Sequence, residues 1–90
     1  MLDDERKAYV YILECSDGTL YTGWTWDWRR RIDQHNGGKG SKYVRARLPV
    51  RLRHLETVSG KRTAMKREAE IKKMTRLQKW NLIQFNANIQ

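Results

Sequence analysis

Cys15 is the only cysteine, which excludes an internal disulfide framework and a cysteine-rich zinc site. No apolar run approaches the ~20 residues that a helical membrane span needs. Met1 to Lys7 is charged and has no apolar stretch of the kind a secretory signal carries, so the expected compartment is the cytoplasm and no membrane partner is expected. Acids are scarce as well: ten Asp and Glu stand against 19 Lys and Arg, for a net charge of +9. Asp3, Asp4 and Glu5 fall in the N-terminal tail, leaving the body of the chain more basic than the total. Such a surplus is either a solvated surface or the footprint of a polyanion. The polyanion is favoured, because neutralising phosphates releases counterions and drives binding. A phosphate-bearing polyanion such as nucleic acid is the expected partner, and no protein partner is singled out.

Ninety residues bound the chain to one small core, since a chain of this size buries roughly 60% of its unfolded surface. Tyr9 to Cys15 reads as a strand, with Tyr9, Tyr11, Leu13 and Cys15 on one face and Val10, Ile12 and Glu14 on the other. Ser16-Asp17-Gly18-Thr19 is a turn in which Gly18 can take positive φ, and Leu20 to Trp24 returns as the second strand. Thr25 is the expected N-cap of a helix through Arg29, Arg30, Arg31 and His35, with Asp27 in its first turn and a stop at Gly37-Gly38. A basic loop, or a loop with a short helical turn, follows from Lys39 to Pro49. Val50 to Val58 reads as a third strand in which Val50, Leu52, His54 and Glu56 alternate with Arg51, Arg53, Leu55 and Thr57. A helix over about Thr63 to Met74 follows, and Thr75 caps a last helix containing Leu77, Trp80, Leu82 and Ile83. The expected fold is α+β: a small three-stranded antiparallel sheet flanked by helices, in the order β-β-α-β-α-α. It forms one domain over 9–86 between tails 1–8 and 87–90.

Helical geometry distinguishes the three consecutive arginines. At about 100° per residue, Trp28, Ile32 and His35 form a stripe facing the sheet. Arg31 lies beside that stripe, with His35 one turn later. Arg29 and Arg30 point toward solvent or a nucleic-acid backbone. The same wheel places Glu68 inside an apolar stripe of Ala64, Met65, Ile71 and Met74, with Glu70 at its outer edge. A carboxylate on a core-facing stripe is costly unless it is paired or bound to a metal, so Glu68 is either an ion-pair partner or a ligand. Magnesium suits one carboxylate with waters and phosphate oxygens. Trp24, Trp26 and Trp28 recur at every second residue. Trp28 is expected in the core, and Trp26 is open to stacking on an unpaired base or to covering the junction.

Together these residues resemble the GIY-YIG nuclease domain, in its small stand-alone bacterial form. Tyr9-Val10-Tyr11 stands at the first motif and Tyr21-Thr22-Gly23 at the second; Tyr9 replaces the glycine and Thr22 the isoleucine of the motif names. Arg31, His35 and Glu68 match the family's helix arginine, the histidine one turn on and the metal-binding glutamate. The stretch Gly38-Lys39-Gly40-Ser41-Lys42-Tyr43-Val44-Arg45 is also similar to this subgroup. The likeness covers about residues 8 to 84. Asn81 and Asn86 are both candidates for a C-terminal asparagine of the family, and neither is assigned.

What the resemblance implies is an endonuclease of low sequence specificity, dependent on Mg²⁺ or Mn²⁺, that hydrolyses phosphodiester bonds. Water would be activated by a tyrosinate or by His35, with Tyr11 the first choice and Tyr21 its partner. Arg31 would hold the non-bridging oxygens, and Glu68 would anchor the metal. Gly23 would serve through its backbone, by admitting a close approach. Arg29, Arg30, Lys39, Lys42, Arg45 and Arg47 are expected to grip backbone phosphates. The alternative is a module of the same fold that binds nucleic acid and cuts nothing.

Overall fold

The computed structural model describes residues 6–89, and side chains from 6 to 86. β1 (Lys7–Glu14), β2 (Leu20–Thr25), α1 (Trp28–Asn36), α2 (Lys42–Arg45), β3 (Arg51–Ser59), α3 (Gly60–Lys72) and α4 (Arg76–Ile89) follow one another along the chain. The three strands form one antiparallel sheet in the order β2-β1-β3. Residues 1–5 and 90, which hold most of the N-terminal tail and the end of the C-terminal one, lie outside the described residues. Lys7 and Ala8 already belong to β1, and α4 runs through Ile89.

β1 is apolar on both faces because both faces are covered. Ala8, Val10 and Ile12 pack with Ala64 and Ile71 of α3 and Ile83 of α4. Tyr11, Leu13 and Cys15 pack on the other side with Val44 of α2 and Val50. A central strand of this kind anchors the domain, and the other elements are placed by what they add to one of its faces. Gly18 takes φ +83° in the hairpin turn, a conformation that excludes most other residues there. Thr75 caps α4 reciprocally. Its hydroxyl accepts from the Gln78 amide at 3.2 Å, and the Gln78 side chain accepts from the Thr75 amide at 2.9 Å.

Several local expectations are corrected. The N-cap of α1 is Asp27, whose carboxylate accepts from the Arg30 amide at 3.1 Å. Thr25 instead ends β2, and its hydroxyl accepts from the Asp27 amide at 3.2 Å. α3 starts at Gly60, three residues before Thr63, because Gly60 at φ +84° turns the chain from strand into helix with no loop between. The alternation expected in β3 breaks at a bulge. Ile12 pairs with His54 but Leu13 with Leu52, so Arg53 is the extra residue. Leu52 therefore joins Leu55 on the Tyr11 side, and His54 faces the side of Ile12, although the two are separated by two residues. Met65 is 48% exposed and does not join Ala64 and Ile71 in the core. Trp26 packs with Trp24 against the α3 side of the core, its ring also met by the Arg6 guanidinium 4.0 Å from the centroid. Trp28 is only half-buried and belongs to neither core cluster.

The cap assignment has a direct consequence for the helix that carries Arg31 and His35. Asp27→Ala is expected to lower unfolding stability by about 1 kcal/mol, read as a drop in the urea midpoint at unchanged slope. A Thr25→Ala variant that cost more than Asp27→Ala would return the cap to Thr25.

Candidate active site

Three rings meet where β1, β2 and α1 converge. Tyr11 is 1% exposed, and its hydroxyl lies 3.1 Å from Nε2 of His35. Tyr11 pairs with Gly23 across the hairpin, and its ring lies over that glycine. Any side chain at 23 would overlap the phenol, which gives Gly23 a steric reason independent of backbone freedom. Tyr21 pairs with Leu13, two positions along β2 on the same face. The His35 ring sits edge-on to both tyrosines, with centroids 6.0 Å from Tyr11 and 5.6 Å from Tyr21.

His35 is fully buried. On its far side Gly40 closes the pocket, since a Cβ at that position would overlap the imidazole at Nδ1. Burial, with the Arg31 charge added, lowers the His35 pKa to about 4. The ring is therefore neutral and carries one proton. Nδ1 has no hydrogen-bond partner among the described residues. A buried N–H left unpaired is rarer and costlier than a bare lone pair. The proton belongs on Nε2, where it donates to the Tyr11 oxygen.

Arg31 is half-buried, and its Nη1 donates to Gln34 Oε1 at 3.3 Å. Burial raises the Tyr11 pKa above the ordinary phenol value; Arg31 opposes the rise by hydrogen bond and charge, while Tyr21 and Glu68 add to it. Glu68 reaches the same region from α3, with its side chain 21% exposed and Lys72 Nζ 3.7 Å from Oε2. The structure thus brings Tyr11, Tyr21 and His35 into contact, and Arg31 and Glu68 both act electrostatically on Tyr11. Among the described residues no group of three or more His, Cys, Asp or Glu could cage a metal. A single partly exposed carboxylate still fits Mg²⁺, which keeps waters and takes phosphate oxygens instead of requiring an all-protein cage.

The basic residues separate into two kinds. Arg29, Arg30 and Lys39 line an open groove on the outside of α1 together with Asp27 and Asp33. Lys42 and Arg45 are exposed on α2. Arg47 is already engaged: its Nε lies 3.0 Å from Asp17, Nη1 donates to the Tyr43 carbonyl at 2.9 Å, and its guanidinium covers the Tyr43 ring at 3.8 Å. Asn81 is exposed on α4. Asn86 Nδ2 lies 2.8 Å from Nδ1 of His54, in a network with Glu56 and Arg67. Gly40 and Tyr43 received no role from sequence reasoning. Their only signal was the Gly38–Arg45 stretch, and their contacts cross between elements.

The sequence matches the family described as the GIY-YIG catalytic domain over residues 7–81. It is 57% identical over 81 residues to a UPF0213 protein of Syntrophus aciditrophicus (strain SB), covering 89% of this chain and 93% of that relative. A UPF0213 protein of Halobacterium salinarum is 55% identical over 71 residues, covering 79% and 92%. Two structures solved by solution NMR are similar. A UPF0213 protein from Bacillus halodurans has a TM-score of 0.58 at 47% identity, covering 88% of this chain and 84% of that one. A protein from E. faecalis has a TM-score of 0.60 at 35% identity, covering 96% and 93%.

The His35 assignment predicts a pH signature in stability. The unfolded chain takes up a proton near pH 6.5 that the folded chain rejects until about pH 4. Stability is therefore fully present above 6.5 and falls as pH is lowered, by about 2 kcal/mol at pH 4.5. His35→Gln should flatten this stretch of the profile. In ¹⁵N spectra the neutral ring should show its proton on Nε2, and a proton on Nδ1 would reverse the hydrogen bond to Tyr11.

Proposed function

Because the chain belongs to the GIY-YIG nuclease family, we propose that it is a metal-dependent endonuclease that hydrolyses phosphodiester bonds of nucleic acid, DNA first. The observation that carries this reading is the Tyr11–His35 contact beneath Gly23, with Arg31 and Glu68 acting on the same phenol. A binding module would also have no need of the carboxylate of Glu68 held near that phenol.

Hydrolysis needs a group to take the proton of the attacking water, in line with the bond to be broken. His35 is poorly suited. Its Nε2–H is committed to Tyr11, and its Nδ1 is sealed behind Gly40. Tyr11 is the better acceptor, because two groups stabilise its phenolate, the His35 N–H and the Arg31 charge. Burial raises its pKa, so the ionised fraction at neutral pH is small but strongly basic. Tyr21, half-buried at the edge of the same face, lies where substrate enters. Arg31 holds the non-bridging oxygens and offsets charge that builds on phosphorus. Glu68 would hold a divalent cation such as Mg²⁺ or Mn²⁺, which supplies Lewis-acid stabilisation of the leaving oxygen. Contacts to phosphates through Arg29, Arg30, Lys39, Lys42 and Arg45 carry no base information, which supports low sequence specificity.

Cleavage of plasmid and branched DNA with Mg²⁺ is the test. Glu68→Gln and Arg31→Ala should each reduce the rate by about 10²–10³ while leaving the circular-dichroism melt in place. The single-turnover rate should climb close to tenfold per pH unit from 7 to 9 and lose that slope in Tyr11→Phe. An inflection between pH 6 and 7 would instead assign the proton to an imidazole. Equal cutting by wild type and both charge variants would remove the enzyme reading.

A further inference from the structure

A cleft of about 380 Å³ opens beside the site, lined by Leu20, Tyr21 and Thr22 of β2, Tyr43 of α2, Lys72 of α3 and Lys79 of α4. Its size falls within the ~300–1,000 Å³ typical of small-molecule sites. The cleft meets the proposed catalytic machinery at two points, through Tyr21 itself and through the Glu68 partner Lys72. Tyr21 lies edge-on to His35, and Lys72 lies 3.7 Å from Glu68. A ligand seated there is continuous with whatever occupies the site.

The lining has a distinct chemistry. One wall is aromatic, with Tyr43 stacked on Tyr21 at 6.0 Å between centroids and 21° between planes. Tyr43 is clamped before any ligand arrives. Arg47 covers its ring and is itself held by Asp17 and by the Tyr43 carbonyl. Tyr43 nevertheless remains 40% exposed as a residue. Two ammonium groups, from different helices, complete the lining. An aromatic surface and two cations suit a planar ring that carries phosphate.

Resting on the nuclease reading above, we propose that this cleft is the subsite for the nucleotide adjoining the bond to be cut, held unpaired. The preferred substrate is then single-stranded at that position, as in a single strand, an overhang or a frayed junction. A closed duplex keeps its base faces stacked inside and presents phosphates and groove edges only. A nucleotide outside the stack can place its base against Tyr43 and Tyr21 and its phosphates against Lys72 and Lys79, and such stacking tolerates any base.

The test is fluorescence anisotropy in EDTA, where turnover does not interfere. The probes are a short single-stranded DNA, the blunt duplex of the same sequence and that duplex with a 3′ overhang. Tyr43→Leu and Lys79→Ala should each weaken the single strand and the overhang about 5–10-fold and the blunt duplex by less than about twofold. Lys79→Ala should also reduce the salt slope on the single strand by ~0.7. Lys79 belongs to neither core cluster, so its variant reads the subsite even if Tyr43→Leu perturbs folding. Equal losses on single strand and blunt duplex, or no loss on either, would overturn the subsite while leaving the nuclease intact. A wild type that binds none of the three probes would remove the nuclease reading, and the subsite with it.

Discussion

The hydrogen bond between Tyr11 and His35 sets conditions that the surrounding chain has to meet. Both side chains are buried, and removing Tyr11 leaves the His35 ring without a hydrogen-bond partner among the described residues, at about 1–3 kcal/mol. Room for the pair exists only because two glycines stand where side chains would collide, Gly23 under the phenol and Gly40 against the imidazole. Those glycines come from β2 and from the loop after α1, and the rings from β1 and α1. Four segments thus depend on one contact. Arg31 adds charge at its border, which favours a neutral histidine and an ionisable phenol. Direction follows from the unpaired Nδ1, which puts the His35 proton on Nε2, toward Tyr11.

A second constraint orients the acid of the site. Burial works against ionisation of Glu56, but hydrogen bonds from His54 and Arg67 outweigh it and bring its pKa down to about 2. Arg67 grips that carboxylate with Nε at 2.8 Å and Nη2 at 2.9 Å, tying α3 to β3. Asn86 of α4 extends the network to His54. Arg67 and Glu68 are consecutive, so they leave the helix about 100° apart. With Arg67 held toward β3 and Ala64 and Ile71 seated on β1, the rotation of α3 is settled, and Glu68 is carried toward the hairpin. Partly buried ion pairs of this kind add little net stability. Their effect here is to select one rotation of the helix.

Much of this was legible in the residues, for reasons that can be located. β1 follows period-two patterning, Gly18 marks its turn, and Thr75 with Gln78 forms a local capping motif. The helical wheel separated Arg31 from Arg29 and Arg30, since 3.6-residue geometry needs no tertiary knowledge. The roles at Tyr11, Tyr21, His35 and Glu68 came from family resemblance, not from periodicity. What escaped is tertiary. The bulge at Arg53 reverses the facing of Leu52, and strict alternation has no means of showing it. Asp27 and Thr25 are both good caps, and the choice between them depends on where β2 stops pairing. Met65 satisfies the wheel but lies beyond the edge of the surface that α3 covers. Gly40 and Tyr43 matter through His35 and Tyr21, contacts that no local pattern encodes.

Charge and shape divide recognition between them. Several cations are spent within the fold: Arg47 on Asp17, Arg53 on Glu14, Arg67 on Glu56, and Lys72 on Glu68. The net +9 therefore acts mainly through exposed residues such as Arg29, Arg30, Lys42 and Arg45. Their field attracts any polyanion from a distance and weakens over the ~8–10 Å screening length of physiological salt. Such a field carries no information about base sequence. Discrimination requires contacts that form only with one shape of substrate, and such contacts need surfaces fixed in advance. In the proposed subsite the clamped Tyr43 ring is a surface of that kind. In the proposed subsite a phosphate that took Lys72 would relieve Glu68 of its partner, so occupancy of the cleft and the charge available at the acid would be coupled through one ammonium group.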